Sequence, residues 1–222
     1  MSTRKRAATP TRAADADLTR RDPMLGPLLG LKLLFILSCL FIVFRMELPQ
    51  FQNKAMWERM IGFPILVAAM PAIWWWRRST GRSAGSYPYV SDFLFTLGIV
   101  LDVLGNIFNL YDAVPRYDDL MQLLNWGFYA GALGALLLRT DLRPWPLFGL
   151  CLGFAAVTAI LWEGMEWLGF VRFGVEIETA SFDTLTDEHL ALLGATVAGI
   201  IVARIAARRQ RQPTGGIVSG VT

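Results

Sequence analysis

Six runs of mostly apolar residues, each about 20 long, constrain this chain more than any other feature: 28–46, 58–76, 92–111, 119–138, 145–165 and 188–206. At about 1.5 Å per residue, a helix of that length crosses a hydrocarbon core roughly 30 Å thick. Lipid offers a backbone no hydrogen bonds, and barrel strands would alternate apolar with polar residues, so the runs are expected to be helices. The predicted fold is all-α, a polytopic membrane bundle of about six transmembrane helices. Of 222 residues, 54% are hydrophobic and only 18% charged, a membrane composition.

Residues 23–207 are the expected transmembrane domain. Residues 1–22 carry six basic side chains and almost no large apolar one, so they are expected to form a disordered basic tail. Residues 208–222 read as a second basic, flexible tail. Arg20-Arg21 leads into Asp22-Pro23 rather than an apolar core, so the first span reads as an uncleaved anchor. Cys39 and Cys151 both fall inside spans, which points to packing rather than a disulfide or thiolate centre. Phosphate-binding and nucleophile-elbow motifs are absent from the sequence.

An even number of spans puts both termini on one side. That side carries fifteen basic residues, in the tails and in the loops with Arg77, Arg78, Arg82, Arg139 and Arg143; the other carries Arg45, Lys54, Arg59, Arg116 and Arg172. The positive-inside rule makes the basic side cytoplasmic. Lys32, near the start of the first span, is expected to snorkel back toward it. The basic termini are candidates for contact with anionic lipid, and the bilayer, not nucleic acid, is the expected partner. Gly127 and Gly131, Gly149 and Gly153, and Ala195 and Gly199 recur at four-residue spacing, predicting close contacts among the last three spans.

Polar residues collect in the outer half. Asp102, Asn106 and Asn109 share one face of the third span, and Asp118, Gln122 and Asn125 share one of the fourth. Glu163 and Glu166 end the fifth span in LWEGMEW, and Asp183 and Asp187 precede the sixth. A carboxylate at the bilayer centre costs about 2.5–3.5 kcal/mol, so Asp102 is expected to join a buried network with Asn106 and an acid or amide of the fourth span. From Asp112 to Glu188 the outer ends and loops hold ten carboxylates against Arg116 and Arg172. Protons, a bound cation or a cationic substrate would supply the counter-charge; for a metal, the oxygen-rich ligands favour a hard divalent cation, Mg, Ca or Mn, with Glu163, Glu166, Asp183 and Asp187 as candidate ligands. His189 reads as an interfacial polar residue, and Trp162 and Trp167 as aromatic-belt anchors.

The motifs YDDLMQLLN, LWEGMEW and FDTLTDEHLALLGA, in that order over residues 90–206, resemble the YjdF-like bacterial membrane proteins. That family's first motif commonly places a histidine four residues after the aspartate; here Asp118 is followed by Gln122, which is neither a general base nor a good metal ligand. A looser similarity is to VanZ-like membrane proteins. The resemblance implies a multi-pass protein of the bacterial cytoplasmic membrane acting at the cell envelope. Three functions are compatible with these residues: an outer polar site for a cation or a cationic or lipid-linked ligand, a transporter with Asp102 as a relay, and a non-catalytic scaffold. No catalytic constellation is recognisable in the sequence.

Overall fold

The computed structural model describes residues 22–52, 54–82, 85–173 and 180–211. The described residues are helical, without strands, and form seven α-helices: α1 (Leu25–Phe44), α2 (Met56–Ser79), α3 (Tyr89–Ile107), the short α4 (Leu110–Ala113), α5 (Tyr117–Leu137), α6 (Pro144–Phe173) and α7 (Ala180–Arg211). All but α4 are long and apolar enough to cross a membrane. Their outward faces expose large apolar side chains such as Leu29, Leu33, Ile65 and Leu161, as helices bathed in lipid do.

Two cores divide the bundle. Phe35 and Ile42 of α1, Phe63 and Val67 of α2, and Ile99, Val100 and Val103 of α3 form the first. The second is rich in alanine, with Ala155 and Ala159 of α6 against Ala191, Ala195 and Ala198 of α7 and Trp126 and Ala130 of α5. Small side chains let these backbones approach where lipid supplies no hydrophobic drive. Gly194 is the tightest point: a Cβ there would collide with the carbonyl oxygen of Leu123. Tyr129 and Trp162 pack against both cores and join them. Gly127 and Gly199 lie at close contacts as expected, whereas a Cβ added at Gly149 or Gly153 would meet nothing within 4 Å, so neither makes a tight contact.

The two ends of the bundle differ in charge. At one, Arg139 donates to the carbonyls of Ser86 and Tyr87, and Arg209 to that of Leu138. Lys32 meets Asp92 there at 2.7 Å, and Asp92 is fully buried. Lys32 is thus ion-paired inside the bundle rather than snorkelling to water. Tyr87 and Thr96 also donate to Asp92, at 2.5 and 3.3 Å. Burial, then the hydrogen bond to Asp92, pushes the Tyr87 phenol well above its ordinary pKa and keeps it a donor.

At the other end, Lys54 pairs with Asp112 at 2.9 Å, and α5 and α7 begin with acidic first turns. Several helix boundaries depart from the apolar runs. α3 stops at Ile107 because Asn109 turns left-handed (φ 56°), so Asn109 does not continue the face of Asp102 and Asn106. α7 stays helical to Arg211, carrying the first residues of the expected basic tail. Residues 1–21 and 212–222, and with them most of the two expected tails, lie outside the described residues, as do Glu176 and Glu178.

Candidate functional site

The acidic end builds its site from three helices. Asp118 and Gln122 lie on the first turns of α5, Glu163 and Glu166 near the far end of α6, and Asp183 and Asp187 on the first turns of α7. The N-termini of α5 and α7 present the positive ends of their dipoles here, which favours carboxylates. Glu163 is about 28 Å along α6 from Pro144, and Asp187 about 32 Å along α7 from Arg208, each roughly one hydrocarbon thickness. That length puts both close to the ends of their spans, although Glu163 is 6% and Asp187 2% exposed.

Two groups of carboxylates converge. Oxygens of Glu163, Glu166 and Asp187 lie within 4.8 Å of one another, and so do oxygens of Asp118, Asp183 and Asp187. Asp187 belongs to both. Gln122 ties the groups together, its Nε2 donating to Glu163 at 3.3 Å and to Asp187 at 3.0 Å. Trp126 in turn donates to Oε1 of Gln122 at 2.9 Å and fixes which end of the amide faces the acids. Asp187 is 2% exposed, yet its Oδ1 has no hydrogen-bond partner among the described residues. A buried, unpartnered carboxylate oxygen is costly.

A second network abuts the first. Arg59 of α2 donates from Nη1 to both oxygens of Asp102 (3.1 and 3.2 Å) and from Nη2 to Glu166 (3.2 Å). Tyr111 donates to Oδ1 of Asp102 at 2.7 Å, and Asn106 to its backbone carbonyl at 3.0 Å. Asn106 reaches only the backbone carbonyl of Asp102 within the same helix, and the carboxylate's charged partner comes from the second span rather than an acid or amide of the fourth. The Tyr111 ring fits because Gly105 has no Cβ; one would lie 2.8 Å from it. Burial, then the Asp102 charge, drives the Tyr111 phenol far above its ordinary pKa, so it stays protonated. Arg59 also lies 5.4 Å above Trp162, which stacks on Phe63. Trp162 accordingly faces the bundle interior instead of anchoring the lipid boundary, while Trp167 is exposed.

Of the residues read from the sequence, Asp118, Gln122, Glu163, Glu166, Asp183 and Asp187 come together, Asp102 joins them through Arg59, and Asn106 bonds only the backbone carbonyl of Asp102. Asn125 does not join by its oxygen: its Oδ1 is buried without a partner among the described residues. His189 is exposed, with Nδ1 2.6 Å from the Leu185 carbonyl of its own helix. Arg59, Tyr111 and Trp126 were not expected in the site. The signal for Arg59 was its place at the start of an apolar run, where a charge needs a partner. Arg59 and Lys54, which lie outside the stretch from Asp112 to Glu188, supply part of the compensation.

These helices and their apolar outer surface define a multi-pass membrane protein. Residues 31–208 match the family described as Predicted membrane protein (DUF2238), and the chain belongs to that family. No curated protein and no solved structure matches it.

Proposed function

We propose that the protein binds a hard divalent cation, Mg, Ca or Mn, in the carboxylate cage of Glu163, Glu166 and Asp187, with Asp118 and Asp183 completing it on the far side of Asp187. The observation that carries this reading is Asp187 itself: its carboxylate is common to both groups, is buried, and leaves Oδ1 unpartnered. All the ligand atoms are oxygens, the donor set of hard cations rather than of structural zinc. Gln122 orients two of the carboxylates and is not itself needed as a ligand.

The excess of basic residues on the opposite side supports a cytoplasmic location for both termini in a bacterial cytoplasmic membrane, with the cage facing out. The motifs that carry the YjdF-like resemblance, and the VanZ-like analogy, support a role at the cell envelope. The ligand that reaches the cage there is a cation, or a lipid-linked molecule carried by it. Asp102 is already neutralised by Arg59, which favours a positioning role for it over that of a transport relay.

Metal analysis of the purified protein tests the reading. After dialysis against Mn²⁺ and removal of free ion, wild type should retain at least one equivalent, and the double variant Glu163→Gln, Asp183→Asn much less. Equal metal content in the two proteins would overturn it.

A further inference from the structure

A groove of about 740 Å³ runs along the outside of the bundle between α3, α5 and α7, remote from the carboxylate cage in its charge and chemistry. Its volume is that of a ligand site, about 300–1,000 Å³. Gly127 and Gly131 of α5 line it together with Gly194 of α7; Leu94 and Val197 contribute apolar side chains, and Arg139 and Arg209 line its basic end. From Arg209 to Gly194 along α7 is about 22 Å, more than the roughly 15 Å of one leaflet. The groove can therefore hold an acyl chain with its head at Arg139 and Arg209.

Both arginines line the same groove. Arg209 donates to the carbonyl of Leu138, the residue before Arg139, while Arg139 uses two N–H groups on Ser86 and Tyr87. A guanidinium has five donors, so both keep free N–H groups. Neither is held by a carboxylate among the described residues. Asp22 is the acidic residue in the groove lining, and its Oδ1 accepts the backbone N–H of Met24 at 2.8 Å. An apolar channel ending in two arginines that pair with no carboxylate among the described residues is complementary to an anionic amphiphile.

We propose that this groove binds one anionic phospholipid, its acyl chain along α5 and its phosphate on Arg139 and Arg209. Native mass spectrometry of the full chain in neutral detergent, with phosphatidylglycerol or phosphatidylcholine added, tests it. Wild type should retain phosphatidylglycerol in clear preference. Arg209→Gln should weaken that retention about fivefold, as expected for a basic residue worth about 1 kcal/mol at an anionic headgroup, and leave phosphatidylcholine unchanged. Val197→Trp should reduce both lipids by obstructing the channel; Val197 is half exposed, so the bulk need not enter the core. Ile201→Trp on the same wall replaces it if that variant does not fold. Lipid retention equal to wild type in the arginine and tryptophan variants would overturn the proposal. So would a wild-type dimer that a tryptophan variant converts to monomer, because a second copy would then be the occupant.

Discussion

Arg59 shows how much of the acidic end depends on one side chain. It holds Asp102 of α3 and Glu166 of α6 at once, and its own charge is shielded by Trp162. Breaking a buried ion pair by removing one partner costs about 3–5 kcal/mol, since it strands the other charge. Arg59→Met should therefore destabilise the protein by about 3 kcal/mol, and the double variant with Asp102→Asn should cost less than the sum of the two single ones. Unfolding in detergent measures both; additive losses would remove the pair from the account. Gln122 gives a second prediction. Its amide lies between Glu163 and Asp187, so Gln122→His would put an imidazole where the resembling family has one and should raise Mn²⁺ affinity about tenfold or more. A calorimetric titration reads that change, and an unaltered affinity would separate position 122 from the cage. Neither contact was legible in the sequence. Arg59 and Asp102 are 43 positions apart, and hydropathy registers Arg59 only as a charge near a loop.

At the scale of helices, the apolar runs identified all six spans because each must cover the hydrocarbon on its own, whatever its neighbours. Their ends were less legible. α6 and α7 extend well beyond their apolar runs, and α3 ends early on a left-handed asparagine that no periodicity signals. Nor does four-residue spacing of small residues say which pair meets another backbone. Gly194 does, with no room for a methyl against Leu123, while Gly149 and Gly153 have open space. Gly194→Ala should cost about 1–3 kcal/mol by overpacking, whereas Gly149→Ala should be neutral or stabilising by up to about 1 kcal/mol. Thermal unfolding of the two variants distinguishes them; equal shifts would contradict the close approach of α5 and α7.

Across the whole molecule, charge is sorted between the ends: arginines bind loop carbonyls at one, and carboxylates crowd together at the other. The proposed cytoplasmic placement of the basic end predicts that a reporter active only outside is silent when fused after Arg209 and active after Arg116. The reverse pattern would turn the cage toward the cytoplasm. That the acids lie at one end was legible from their positions once six spans were counted. That Asp187 would be the member common to two groups was not, because it depends on how α5, α6 and α7 pack. The central claim is that this shared carboxylate holds a cation, and Asp187→Asn tests it with almost no change in shape. Titration of Mn²⁺ into wild type should give saturable binding that Asp187→Asn weakens about tenfold or more, while its fold, followed by circular dichroism, stays intact. Equal affinity in the folded variant, or no saturable binding in wild type, would contradict it.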